Sequence, residues 1–358
     1  MSLGIHTKET TKLQLKIFIP YLYLIEIKGM SKKKIVHWGI LGCGKIANKF
    51  AADLMHSNSG KLMACASRDM AKAQAFAEQH NVPQYYGDYA SMLEDGDVDI
   101  IYIATPHNLH FEITLLCARY KKHILCEKPL AVNKRQVLEM TQTAKEHRIF
   151  LMEALWTAFL PAIIQVKEEV EQGTLGEIRH IQADFGFKSP FNKDSRLFNP
   201  ALAGGSLLDI GIYPIFIAMW LLGKPLDIQA SIHKTLTGVD DECAMMLTFA
   251  NGQTASLYST VSCDTETSCI ITGTEGSILI PSRFHEQETF IIQKKGYTDE
   301  VRHAGIVGKG YYHEIEHVHE CLSLGLTESP IMTHDFSMAL IDVMDTVREK
   351  AGIVYPFE

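Results

Sequence analysis

Apolar and polar positions alternate along the first half of the chain in two rhythms. Short, nearly continuous apolar runs at 35–41, 62–67, 100–104, 123–126 and 150–152 read as buried strands. Between them, segments 46–54, 70–80, 111–120 and 134–147 carry the three-to-four-residue spacing of helices packed on one face. Strands alternating with helices predict a parallel sheet covered on both sides. Beyond about residue 175 the texture becomes β-rich, with runs at 177–187, 228–235, 242–249, 254–262, 268–273 and 277–280. Two helical stretches, 312–324 and 335–350, close the chain. This second half predicts an α+β unit with a large open, mostly antiparallel sheet.

The first apolar run enters the turn Gly42-Cys43-Gly44-Lys45-Ile46-Ala47, which opens directly into a helix. That is the strand–turn–helix setting of a dinucleotide fingerprint in its G-x-G-x-x-A form. Gly42 permits the tight turn, Gly44 lets backbone approach a pyrophosphate, and Ala47 lets helix pack close on strand. The first N–H groups of the helix, at Lys45 and Ile46, then face the phosphates, where the helix dipole favours negative charge. The fold class expected is therefore α/β, with a Rossmann doubly wound parallel sheet over residues 31–153. The α+β substrate and oligomerisation unit follows over 154–358.

Composition narrows the partners. The chain has 358 residues, 46% hydrophobic and 21% charged, as an ordinary soluble globular protein does. A net charge of −8 opposes nucleic acid and anionic membranes. The eight cysteines form no C-x-x-C pair and several sit in apolar runs, which suits reduced thiols in the cytoplasm. Residues 1–30 hold an apolar run broken by Pro20 and Glu26, with no small-residue cleavage site before Met30. They read as an extension, with Met30 as the natural start.

The end of the second strand bears on the choice of nucleotide. An NAD site usually places a carboxylate there, on the ribose diol, whereas this chain has Ser67-Arg68. A hydroxyl followed by a guanidinium suits a 2′-phosphate, so NADP is expected ahead of NAD. Asp69 reads as the N-cap of the next helix.

Two further strand ends carry polar groups: Ala104-Thr105-Pro106-His107-Asn108-Leu109-His110 and Cys126-Glu127-Lys128-Pro129. Carboxyl ends of parallel strands are where α/β proteins hold ligands. Pro129 restricts Lys128 and aims its side chain. Together with 39–47, these segments resemble the glucose–fructose oxidoreductase/inositol dehydrogenase (Gfo/Idh/MocA) family over residues 34–355. The resemblance implies that Lys128 lies beside nicotinamide and substrate. It also implies cofactor contacts from Thr105, Pro106, Asn108, His110 and Glu127.

Met152-Glu153-Ala154-Leu155-Trp156, the run from Gly204 to Pro214 and the run from Gly325 to Pro330 are similar to the dimeric dihydrodiol dehydrogenase and NADP-dependent D-xylose dehydrogenase branch. Much of the family has D-x-x-x-H where this chain has Asp209-x-x-x-Tyr213. The resemblance implies Tyr213 as acid/base and Asp209 as the group orienting the site. On a helix the two share a face. A nearby ammonium favours phenolate, and Asp209 opposes it unless it chiefly pairs with Lys128. Trp156, Phe159 and Arg196 are softer substrate-site candidates.

The expected activity is hydride transfer between NADP and a sugar, cyclic polyol or trans-dihydrodiol, in a homodimer or homotetramer formed through the open sheet. The alternatives are a non-catalytic NADP-binding regulator and an oxidoreductase that keeps its cofactor bound. One motif points elsewhere. His313-Glu314-Ile315-Glu316-His317 satisfies the H-E-x-x-H zinc signature. An apolar stripe of Tyr311, Ile315, Val318 and Leu322 leaves His313, His317 and Glu320 on a more polar face. With no third ligand in sight, no metal is expected.

Overall fold

The computed structural model describes residues 35–94 and 97–358; the extension read over residues 1–30 lies outside them. Six strands form the first sheet: β1 (Val36–Leu41), β2 (Gly60–Ala66), β3 (Gln84–Tyr86), β4 (Ile100–Ile103), β5 (His123–Glu127) and β6 (Leu151–Ala154). All pair in parallel, in the order β3-β2-β1-β4-β5-β6. The crossovers carry helices α1 (Lys45–Leu54), α2 (Met70–His80), α3 (Tyr89–Glu94), α4 (His110–Arg119) and α5 (Lys134–His147). Strand order reverses between β1 and β4, which opens a crevice at their carboxyl ends. Gly42 leaves β1 beside that crevice.

The helix boundaries follow from local chemistry. Asp69 caps α2, its carboxylate accepting from the N–H groups of Ala71 at 3.1 Å and Lys72 at 3.3 Å. Asn133 caps α5 in the same way, through the Gln136 N–H at 3.0 Å. Asn81 and Arg148 end these helices in the left-handed conformation.

The second half begins with α6 (Pro161–Glu171) and β7 (Ile178–Gly186). Helix α7 (Ile212–Leu222) then precedes β8 (Asp227–Lys234), β9 (Asp240–Thr248), β10 (Thr254–Thr260), β11 (Cys269–Gly273), β12 (Ser277–Ile280), β13 (Thr289–Gln293) and β14 (Glu300–His303). The eight strands lie in the order β14-β13-β12-β11-β7-β10-β9-β8. Only β7 and β10 run in parallel. Helix α7 packs on β7 and β10 with residues from Ile212 to Met219 buried. The stretch 200–222 is long and apolar enough to cross a bilayer, yet 83% of its most apolar window is buried inside the fold.

Helices α8 (Tyr311–Ser323) and α9 (His334–Ala351) return to the first half. Helix α8 packs on α1, and α9 packs on both α5 and β8. One carboxylate of α9, Asp342, holds Lys134 Nζ at 2.9 Å and Lys224 Nζ at 2.6 Å.

Five elements are absent from the sequence expectation: β3, β13, β14, α3 and α6. Strands β3 and β14 are short and expose nearly every residue, so neither shows a buried period. Helix α3 spans six residues, too few to display a repeat. Proline opens α6 at its first position, where the missing N–H is harmless; the residue that signals a start there also reads as a break. Strand β13 alternates buried Phe290 and Ile292 with half-buried neighbours and was legible.

Candidate active site

The glycine turn has the geometry a dinucleotide needs. Gly42 adopts φ +96°, and a Cβ there would stand 2.8 Å from the Ala104 carbonyl oxygen. A Cβ on Gly44 would meet nothing within 4 Å, so the turn presents bare backbone to open space. No side chain caps α1, and its first turn carries no acidic residue. Across the crevice, Thr105 Oγ1, His107 Nε2 and Asn108 Oδ1 are buried without hydrogen-bond partners. Orphaned polar atoms cost about 1–3 kcal/mol each. Three within four residues at the carboxyl end of β4 mark a place built for a polar ligand. These features fit a dinucleotide.

At the end of β2, Arg68 is exposed and Ser67 half-buried. Ser67 Oγ accepts from the Asp69 N–H at 3.2 Å. Asp69 is committed to capping α2.

The second cluster joins the two halves. Lys128 follows β5, with the Lys128–Pro129 peptide in the cis form. Its Nζ donates to the Asp209 backbone carbonyl at 2.6 Å and lies 3.5 Å from Asp209 Oδ1. Asp209 sits in a π-helical turn, Leu207–Gly211, that leads into α7. Pro214 has no N–H to offer the carbonyl five residues back, which is that of Asp209. The lysine uses that carbonyl.

The side chain of Asp209 is held by Arg196, whose Nη1 and Nη2 donate to its two oxygens at 2.6 and 2.9 Å. Burial pushes this carboxyl up, but Lys128 and Arg196 outweigh it and hold it well below the usual carboxylate range. By geometry Asp209 makes its shortest contacts with Arg196, while the Lys128 charge acts on it from 3.5 Å. Arg196 does reach the site, through this carboxylate.

Tyr213 begins α7 with its ring 5.0 Å from Lys128 Nζ. Its Oη accepts from Trp156 Nε1 at 3.1 Å, and Trp156 stacks on Tyr311 at 4.8 Å. Burial first, and then the Glu127 carboxylate, push the Tyr213 phenol well above its ordinary value. Tyr213 rests as a neutral phenol, not the phenolate that the nearby ammonium suggested.

Other expected residues lie elsewhere. His110 is buried, with Nδ1 2.9 Å from the Pro129 carbonyl and Nε2 2.9 Å from that of Thr105. Its ring brings β4 and β5 together and does not open onto the crevice, which corrects the expectation of a cofactor contact. Glu127 points inward: it accepts from Tyr102 Oη and from the Lys128 N–H at 3.2 Å. Asn108 Nδ2 donates to the Ala201 carbonyl at 3.1 Å, while Pro106 leads into the short turn His107–Leu109. Phe159 packs at a tilt against His317, ring centroids 4.7 Å apart, and belongs to the core.

The H-E-x-x-H histidines are used in other ways. His313 Nε2 accepts from the Val307 N–H at 3.2 Å, and His317 Nε2 pairs with Ser329 Oγ at 2.8 Å. His317 is buried, contrary to the expected polar face, because α8 packs against the turn Trp156–Phe159 as well as α1. Among the described residues no group of three potential ligands is placed to hold a metal ion.

Three residues near the site escaped the sequence reading. Burial lowers His107 to about 3, so it is neutral; Asp209 and Arg196 lie near enough to affect it. His285 stacks on Phe185 at 4.3 Å and stands 5.0 Å from Tyr213. Glu314 is wholly buried with neither carboxyl oxygen partnered. Only His107 carried a signal, its place beside Asn108 at a strand end.

Comparison with known proteins follows the same outline. Residues 36–154 match the oxidoreductase family, NAD-binding Rossmann fold, and residues 163–279 match the GFO/IDH/MocA C-terminal domain. A trans-1,2-dihydrobenzene-1,2-diol dehydrogenase from Xenopus tropicalis is 36% identical over 328 residues, covering 89% of this chain and 99% of the relative. The enzyme of the same description from Sus scrofa is 36% identical over 333 residues, covering 90% and 98%. Among solved structures, an aldose–aldose oxidoreductase from Caulobacter crescentus superposes with a TM-score of 0.82 at 27% identity, covering 90% of this chain and 100% of its own. A 3-ketoreductase from Actinomadura kijaniata, solved with NADP and TDP-benzene, gives 0.80 at 27% identity, covering 88% and 98%.

Proposed function

The chain belongs to the GFO/IDH/MocA family of NAD(P)-dependent oxidoreductases, and from that membership we propose a dehydrogenase that uses NADP on a vicinal trans-diol or an aldopyranose. The observation that carries this reading is the meeting of Lys128, Asp209 and Tyr213 at the sheet edge that also bears the glycine turn. Gly42, Gly44 and the N–H groups of Lys45 and Ile46 would hold the diphosphate, with Thr105 and Asn108 across the crevice. Ser67 and Arg68 would take the 2′-phosphate. When bound, a nicotinamide dinucleotide supplies the hydride acceptor or donor.

The chain's own residues then manage the proton. Tyr213 Oη accepts one hydrogen bond from Trp156, which leaves its own O–H free to point at a substrate oxygen. As a phenol it gives that proton to a carbonyl oxygen during reduction. During oxidation the same oxygen must shed its own proton before it takes the alcohol's, a step that burial and Glu127 oppose and that an ammonium over the ring favours. Asp209 fixes Lys128 through its backbone carbonyl and Arg196 through its side chain. Arg196 has five N–H donors, more than Asp209 uses, and can also bind a substrate hydroxyl. The test is NADP-linked oxidation of trans-dihydrodiols and aldopyranoses by the full chain and its Tyr213→Phe variant. A wild type inactive on both classes, or a variant as active as wild type, refutes the assignment.

We also infer that the enzyme works as a homo-oligomer in the cytoplasm. The outward face of the second sheet carries a groove of about 550 Å³ lined in part by Gln182, Ser231, Ala244, Met246 and Tyr258. It lies on the side of β7 opposite Phe185 and Tyr213, so its suitable occupant is a second copy and not the substrate. Light scattering on wild type and Met246→Glu tests this. The eight free cysteines support a reducing compartment.

A further inference from the structure

A histidine to which the proton transfer above gives no part lies against Tyr213. His285 sits in the link between β12 and β13, 4% exposed, in a turn held from several sides. The Phe284 N–H donates to the Thr267 carbonyl at 3.0 Å, and the His285 carbonyl accepts from Thr157 Oγ1 at 2.7 Å. Thr267 and Arg283 adopt φ of +51° and +63°, a conformation uncommon for residues with a Cβ and kept where surrounding structure enforces it. The ring is packed as firmly. It stacks on Phe185 at 4.3 Å, meets Trp156 edge-on at 6.2 Å and lies 5.0 Å from the Tyr213 ring. Trp156 Nε1 already donates to Tyr213 Oη, so the three rings share one corner of the site.

Within that corner His285 Nδ1 is buried and has no hydrogen-bond partner among the described residues. The other nitrogen, Nε2, lies 3.9 Å from Glu286 Oε2, and Arg283 Nε holds the second oxygen of that carboxylate. A carboxylate on that side favours the proton on Nε2 and leaves a lone pair on Nδ1. Burial, and then the cations of Arg283, Lys128 and Lys49, push the ring well below its ordinary value, so it stays neutral. Beside Tyr213 the imidazole thus offers an unused acceptor. We propose that His285 is a specificity-determining residue, whose Nδ1 accepts a hydrogen bond from a non-reacting hydroxyl of a polyhydroxylated ring. It selects an aldopyranose or cyclic polyol over a simple secondary alcohol.

The neighbouring groups make that acceptor useful. Arg196 carries donors only, so it can serve a substrate oxygen but cannot take up a hydroxyl proton. Both oxygens of Asp209 are already held by Arg196. A hydroxyl has a proton to place as well as lone pairs, and leaving that proton unpaired in a buried site costs binding. Phe185 and Trp156 supply apolar walls for the C–H faces of a ring. An alcohol with a single oxygen gives that oxygen to Tyr213 and leaves Nδ1 without a partner. A trans-dihydrodiol has one further hydroxyl, and a pyranose has several.

This role for His285 rests on the proposed function, and the test separates the two. The full chain with NADP is assayed on D-xylose and D-glucose and on their monodeoxy analogues, each lacking one hydroxyl. Sugar binding to the enzyme–NADPH complex is read in parallel by nicotinamide fluorescence. In the wild type, loss of one particular non-reacting hydroxyl should lower kcat/KM and sugar affinity by at least about tenfold, the worth of one hydrogen bond in a buried site. His285→Phe should weaken the parent sugar by the same factor and that analogue no further, with NADPH affinity unchanged. Losses that fail to add mark groups in contact. His285→Asn, whose amide oxygen reaches the place of Nδ1, should restore part of the discrimination. A wild type that treats all non-reacting hydroxyls alike overturns the proposal without any variant. Additive losses overturn it too, because a purely structural histidine would weaken every sugar equally. If neither sugar nor trans-dihydrodiol is oxidised, the proposed function falls and the binding measurement still decides His285. Sugars bound with the same non-additive pattern sustain its role, and failure to bind any sugar overturns it.

Discussion

Arg196 holds Asp209 with two parallel hydrogen bonds, 2.6 and 2.9 Å long, while Lys128 Nζ stays 3.5 Å from the same carboxylate. The guanidinium clamps the carboxylate, and the ammonium lies 5.0 Å from the Tyr213 ring. In Arg196→Gln the carboxylate should draw Lys128 toward itself and away from Tyr213. We expect kcat/KM to fall by about tenfold to a hundredfold, with NADPH affinity unchanged. Arg196 is half exposed, so the stability loss should be about 1–2 kcal/mol, below the range for wholly buried pairs. Steady-state kinetics and urea unfolding measure the two effects.

Tyr213→Phe removes the hydroxyl that moves the proton and leaves the Trp156 N–H without its acceptor. Turnover should drop by about 10²–10⁴-fold, the usual worth of general acid–base catalysis, while NADPH binding persists. Stability should fall by about 1–3 kcal/mol for the orphaned indole donor. A variant equally stable but inactive would show that the Trp156 bond contributes nothing to folding.

Glu153 makes stability depend on pH in an unusual direction. Burial raises this carboxyl to about 7, although the Leu130 N–H donates to it at 2.9 Å. In the unfolded chain a glutamate titrates near about 4.3. Between those values the native state holds a proton that the unfolded state has lost, so stability falls as pH rises. Thermal melts of the wild type should therefore decline from pH 5 to pH 8 by more than those of Glu153→Gln, whose amide does not titrate. Parallel declines would remove Glu153 as the cause.

Asp209 acts in the opposite sense. Its depressed pKa contributes stability above the unfolded value near about 3.9, and this is lost as pH falls below it. Wild type and Asp209→Asn should differ most above pH 5, and the gap should narrow progressively as acid melts are taken from pH 4 down to pH 2.

Arg68→Glu places a carboxylate where a 2′-phosphate would sit. Affinity for NADPH should drop by at least about tenfold relative to NADH, a difference of about 1.4 kcal/mol. Side-by-side fluorescence titrations read the ratio directly, and an unchanged ratio would assign the 2′-end to other residues.

Much of the first half was legible because its signals are local. Asp69 marked the start of α2, and the glycine turn announced α1. The chemistry at Lys128, Asp209 and Tyr213 was legible through motif resemblance, but its wiring was not. The partner of Asp209 comes from a separate loop. The π-helical turn depends on Pro214 within a packed helix, and no periodicity reports that. His110 shows the same limit: a histidine at a strand end looks reactive until its two carbonyl neighbours are seen. His317 looked solvated because one helix face was judged without knowing that two elements press on α8.

The bridge from Asp342 to Lys134 and Lys224 has a consequence for how the molecule comes into being. Lys134 begins the helix that follows Lys128, and Lys224 follows the helix that carries Tyr213 in its first turn. Both lysines leave the ribosome long before their shared carboxylate does. The nascent chain can therefore wind its first sheet and draft its second, but the clasp that fixes one against the other arrives only with the last helix.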